Sequence, residues 1–99
     1  MFSRAVHPGA ILKAELDELG ITPTEFARQI DVPPNRVSQI IRGQRSITGD
    51  TALRFGHWFC TGPQLWINLQ SQFDLMIAER SAGKSIQNLP TKDGTPHIP

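Results

Sequence analysis

Ninety-nine residues with 38% hydrophobic content make one domain with one core, which excludes a two-domain arrangement. A formal net charge of +1 excludes a strongly basic or acidic chain, so any charged partner has to be met by where the charges lie. Cys60 is the only cysteine, which excludes an intramolecular disulfide; MFSRAVHPGA lacks an apolar signal region, and no apolar run approaches the roughly twenty residues a membrane span needs, so a cytoplasmic protein is the expectation.

Met1 to Val6 read as a short arm whose Phe2 and Val6 could dock on the body. His7-Pro8-Gly9 opens a first helix, because proline suits a first turn, and Ile11, Leu12, Leu16 and Leu19 recur on one face until Gly20 stops it. Lys13, Glu15, Asp17 and Glu18 stay outside.

Thr22 to Arg45, TPTEFARQIDVPPNRVSQIIRGQR, reads as two short helices around a tight turn. Thr22 or Thr24 can cap the first, Pro23 suits its first turn, and Phe26, Ala27 and Ile30 form its inward stripe. Asp31-Val32-Pro33 breaks the helix, and Pro34 can start the next. In that second helix Val37, Ile40 and Ile41 stand at i, i+3 and i+4 and face inward. Asn35, Gln39 and Arg42 then share the outer face, with Arg36 and Ser38 on its flanks. Amides and guanidiniums are the groups that read base edges and grip phosphates, and residues 35 to 45 hold Arg36, Arg42 and Arg45 with no acid. A helix-turn-helix with its second helix in the major groove fits this pattern; so, on periodicity alone, does an ordinary helical hairpin.

Gly43-Gln44-Arg45-Ser46 follows as a loop in which Arg45 and backbone amides can meet phosphate. Thr48 is the expected N-cap of a fourth helix to about Phe59, with Leu53, Gly56, Phe59 and Cys60 inward and a close neighbour explaining Gly56. Pro63 opens a fifth helix to about Ala82. Trp66, Leu69, Phe73, Met76 and Ile77 face the core, while Ile67, Ser71, Leu75 and Ala78 form a second edge suited to the same helix of another copy. The expected organisation is a domain over residues 1–82, with the 63–82 helix for dimerisation, and a flexible tail over 83–99.

Enzyme chemistry has no foothold: there is no glycine-rich phosphate loop, nucleophile elbow or readable catalytic trio. His57 and Cys60 share a helix face, but two ligands do not make a metal site, and a buried Cys60 with a half-exposed His57 is expected. No metal, cofactor or catalytic residue is expected.

Phe26-Ala27, Val32, Val37-Ser38, Ile40 and Arg42-Gly43-Gln44-Arg45 resemble the lambda-repressor-like (Cro/XRE) helix-turn-helix pattern. His7-Pro8-Gly9 with Ile11-Leu12, Val32-Pro33-Pro34 with Arg36-Val37, Ile47-Thr48 before Asp50-Thr51-Ala52-Leu53-Arg54, and Pro63, Trp66 and Asn68-Leu69-Gln70 resemble HigA-type antitoxins of toxin-antitoxin modules, over about residues 6 to 78. The resemblance implies an all-α, five-helix lambda-repressor-like domain that binds a palindromic double-stranded DNA operator as a homodimer, represses it, and neutralises a HigB-type ribonuclease toxin. Its expected DNA-contacting set here is Thr22, Thr24, Pro34, Asn35, Arg36, Ser38, Gln39, Arg42, Gln44 and Arg45. Two positions depart from the broad pattern. Pro23 replaces a backbone-contacting glutamine, so that contact passes to Thr22, Thr24 or nothing, and Asp31 replaces the turn glycine, where aspartate tolerates the left-handed conformation better than most residues. A stand-alone repressor and a helical protein-interaction module are the alternative functions.

Overall fold

The computed structural model describes residues 5–94. Among them five α-helices begin where the chain supplies a cap or a proline. Helix α1 (Pro8–Leu19) is capped by His7, whose Nδ1 accepts the Gly9 N–H at 2.9 Å, and ends at Gly20 with φ 71°. Helix α2 (Pro23–Gln29) is capped by Thr22, whose Oγ1 accepts the Glu25 N–H at 3.1 Å. Helix α3 (Pro34–Ile41) starts on Pro34 with no side-chain cap, α4 (Gly49–Phe59) is capped by Thr48, and α5 (Pro63–Gln87) again starts on proline.

The core gathers Leu12 and Leu16 of α1, Phe26 and Ala27 of α2, Val37 and Ile40 of α3, Ala52 and Phe55 of α4, and Trp66 of α5, all buried. Phe55 joins its halves, meeting Phe26 and Trp66 edge to face with centroids 5.3 and 5.2 Å apart, the arrangement ring quadrupoles favour. Two glycines allow close crossings. A Cβ on Gly9 would lie 1.8 Å from the Ile40 carbonyl oxygen, so only glycine lets α1 press its first turn onto the end of α3. A Cβ on Gly56 would lie 2.3 Å from the Gly62 carbonyl carbon, so the expected close neighbour of Gly56 is the backbone entering α5.

Several sequence expectations shift. The buried face of α4 is Ala52, Phe55 and Gly56, with Phe59 half-buried, which leaves Leu53 61% exposed. Spacings of i, i+3, i+4 and i+7 describe that face better than the stripe begun on Leu53. Cys60 is exposed, because it occupies the left-handed position, φ 60°, that turns the chain out of α4; His57 is exposed too. Val6 is not docked, at 48% exposure, and Phe2 lies outside the described residues. Helix α5 continues five residues past Ala82, since Ala82, Lys84 and Gln87 favour helix enough to carry Gly83, and it stops at Asn88, before Pro90. The expected tail therefore begins with helix, and residues 95–99 lie outside the description. Ile77, expected in the core, is 44% exposed where α5 leaves the body.

Candidate nucleic-acid interface

The turn between α2 and α3 sets the presentation of α3. Asp31 takes φ 60°, and the Val32 N–H reaches back to the Ala27 carbonyl at 3.0 Å. The carbonyls left at the end of α2 find a partner on α4: Arg54 Nη1 donates to the Ile30 oxygen at 2.8 Å and the Asp31 oxygen at 3.4 Å. Arg54 Nε also donates to Asp50 Oδ2 at 2.9 Å, and that hydrogen bond holds the Asp50 carboxyl below its usual pKa. Arg36 of α3 lies 3.9 Å from the same carboxylate. On the other side of the turn, Trp58 Nε1 donates to Gln29 Oε1 at 2.7 Å. Helix α4 thus braces the turn through Arg54 and Trp58, two residues that periodicity did not single out; a basic residue four positions after Asp50 was the available signal.

With Val37 and Ile40 buried, the outer face of α3 presents Asn35, Gln39 and Arg42. Pro34, Asn35 and Arg42 are exposed, and Ser38 and Gln39 are half-buried on the same side. Gln44 and Arg45 join this surface from the loop. Arg42 Nε donates to Gln44 Oε1 at 3.3 Å, and Arg45 Nε donates to Gln39 Oε1 at 2.9 Å, so amides and guanidiniums already form one array. Arg36 stands apart, half-buried and turned toward Asp50. Thr22 and Thr24 are both exposed at the start of α2; Thr22 spends its oxygen on the cap but keeps a hydroxyl proton to donate.

The loop after α3 is secured from two sides. His7 sits under Gly43 and meets Phe73 of α5 edge to face at 4.9 Å. Burial lowers the His7 pKa, partly opposed by the Asp74 carboxylate. Ile47 is buried, and its N–H donates to Oε1 of the buried Gln70 at 2.8 Å.

Residues 12–55 match the helix-turn-helix family model. An addiction module antidote protein of a HigA family from Coxiella burnetii has a solved structure that superposes with a TM-score of 0.88 at 42% identity, covering 90% of this chain and 98% of that one. Antitoxin HigA of Pseudomonas aeruginosa, solved with higBA promoter, gives 0.85 at 41% identity and the same coverage. Virulence-associated protein I of Dichelobacter nodosus is 43% identical over 77 residues, which are 77% of this chain and 71% of that one. The chain belongs to the HigA-type helix-turn-helix antitoxins. HigA-type proteins are not enzymes, and no helix described here is long and apolar enough to cross a membrane.

On this HigA-type chain the outer edge of α5 differs in part from expectation. Ser71, Leu75 and Ala78 are exposed, Leu75 at 63%, but Ile67 is half-buried against the chain's own core and so has an intrachain role. Because α5 runs to Gln87, the edge continues through Ala82 and Ser85. The spacing from Ser71 through Leu75, Ala78 and Ala82 to Ser85 is four, three, four and three, a heptad seam of mostly small side chains.

Proposed function

We propose that this chain is a DNA-binding antitoxin and autorepressor acting in the cytoplasm, which grips a palindromic operator as a homodimer and neutralises a HigB-type ribonuclease toxin. The observation that carries the DNA half is the array on α3 and its loop: Asn35, Gln39, Arg42, Gln44 and Arg45 side by side on one outer surface, with no carboxylate in residues 35–45. In this reading α3 enters the major groove, where the Asn35 and Gln39 amides match the paired donor and acceptor of adenine. Arg42, Gln44 and Arg45 meet phosphate where the helix leaves the groove, and Thr22, Thr24 and the exposed Pro34 edge flank the backbone. Arg36 acts chiefly through Asp50, as a brace that adds positive potential. The solved HigA of Pseudomonas aeruginosa carries promoter DNA, which supports the operator; family membership supports the toxin.

A single domain offers one short reading helix and few arginines, whereas two domains address half-sites about 34 Å apart. The α5 seam at Ser71, Leu75 and Ala78 is the proposed tie, extended by Ala82 and Ser85. The test has two arms. Retardation of DNA upstream of its own gene is expected, and its absence favours a helical interaction module. Co-expression with the adjacent gene is expected to rescue growth and to yield a co-purifying complex, and failure of both favours a stand-alone repressor.

A further inference from the structure

The loop after α3 reaches α5 through one buried amide. Gln70 is 5% exposed; its Oε1 accepts the Ile47 N–H at 2.8 Å, and its Nε2 donates to Asp74 Oδ1 at 3.0 Å. A polar group this deep is costly unless bonded, and here each end of the amide has a partner. Asp74 fixes which way round the amide lies, so the oxygen is always the end presented to Ile47.

Between α3 and Ile47 lies the exposed loop Gly43 to Ser46, which carries Gln44 and Arg45. Its first half is fastened to α3, with Gly43 N–H on the Ile40 carbonyl at 3.0 Å and Gln44 N–H on the Gln39 carbonyl at 2.8 Å. Its far end is fastened to α5 by the Ile47 amide, and the Ile47 side chain is buried in the core. The loop is therefore a strut from the reading helix to α5.

We infer that Gln70 is a positioning residue that fixes α3 and its loop relative to α5, and so decides which spacing between operator half-sites the dimer accepts. This rests on the proposed reading in which α3 enters the groove and α5 carries the two-fold. Under that symmetry any shift of α3 against α5 occurs twice, in opposite senses, so slack at Gln70 widens the range of distances between the two reading helices. One base pair moves a half-site by about 3.4 Å and turns it by about 34°. A dimer held rigidly at Gln70 discriminates against that change, and a dimer released there does not.

The probe is a set of duplexes built from the half-site that the wild-type chain selects from a randomised pool, paired at the selected spacing and at one base pair more and one fewer. Wild type is expected to bind the altered spacings about tenfold more weakly. Gln70→Leu should narrow that gap to about threefold while leaving single half-site affinity unchanged within about threefold. Gln70→Glu keeps the acceptor for Ile47 but sets a second carboxylate against Asp74, and should narrow it as well. Gln70→Glu combined with Asp74→Asn reverses the donor and acceptor of that pair and should restore the wild-type gap. If Gln70→Leu does not fold, by circular dichroism, the comparison of the other two variants decides alone. Full spacing selectivity in Gln70→Leu or Gln70→Glu, equal losses on single and paired half-sites, or a wild type indifferent to spacing overturns the inference. A wild type that selects no paired half-sites overturns instead the dimeric reading beneath it.

Discussion

Arg45 Nε donates to Gln39 Oε1 at 2.9 Å, linking the loop beyond α3 to the middle of the face that α3 turns outward. A carbonyl oxygen has two lone pairs, so Gln39 can accept from Arg45 and still accept from an adenine amine while its own NH2 donates to the ring nitrogen. In the proposed reading Arg45 serves twice, as a phosphate contact and as the group that orients Gln39. Gln39→Ala should cost about 1 to 3 kcal/mol on the operator and leave random duplex almost unaffected. In a double-mutant cycle with Arg45→Ala, measured by fluorescence anisotropy, the pair should couple by about 0.5 kcal/mol or more. Additive effects would remove the orienting role; equal losses of Gln39→Ala on operator and random DNA would remove the readout.

Arg42 stands at the end of α3, exposed and steadied by Gln44. Its loss should weaken every sequence alike and make the slope of log affinity against log salt shallower by about one per half-site, through one fewer released counterion. Titration at several salt concentrations checks this. An unchanged slope in Arg42→Ala would move the residue off the phosphates and make a base contact the better account.

His7 is expected to make stability depend on pH on the acid side of neutrality. Its Nδ1 accepts the Gly9 N–H, its ring packs on Phe73, and burial lowers its pKa against the pull of Asp74. A lowered folded pKa means that the unfolded chain binds more protons, so this contribution is complete above the ordinary value of 6.5 and is lost as pH falls through the folded one. The urea midpoint of wild type should fall between pH 7 and pH 5. His7→Asn keeps a capping acceptor without titrating, so its midpoint should be lower at pH 7 but flatter across that window. Glu25, held down to about 2 by its hydrogen bond from Arg28, titrates below this range. Parallel pH profiles for the two proteins would assign the acid sensitivity elsewhere.

Most of the fold was legible because its signals are local. Thr22 and Thr48 caps, Gly20 as a stop, prolines at helix starts and the Phe26, Ala27, Ile30 stripe all act within one or two turns. Asp31 was placed in the left-handed turn through the resemblance, as the residue standing where the family pattern has its turn glycine. What was missed depends on partners distant in sequence. The burial of Ile67 follows from where α5 lies on the core, and the roles of Arg54 and Gln70 follow from carbonyls and an amide 23 or 24 residues away. On α4 the stripe begun on Leu53 and the observed one share Gly56 and Phe59, and the choice between them is made by Phe55, whose ring lies between Phe26 of α2 and Trp66 of α5. The array at Asn35, Gln39 and Arg42 was readable from spacing, but its locking by Arg45 and Gln44 was not, since loop geometry has no period.

In the proposed dimer two copies joined along α5 read one operator, and Leu75 is the residue to change because it is the one large apolar side chain of the seam and 63% exposed. A two-fold contact meets itself, so one substitution alters the interface twice. Leu75→Glu removes no intrachain core contact and should keep its circular dichroism. The decisive measurement is sedimentation of wild type and Leu75→Glu, free and with operator duplex: a wild-type dimer that binds tightly and a folded mutant monomer that binds far more weakly are the expected result. A mutant that remains dimeric with unchanged helicity, or a monomer that binds the operator as tightly as wild type, would contradict it.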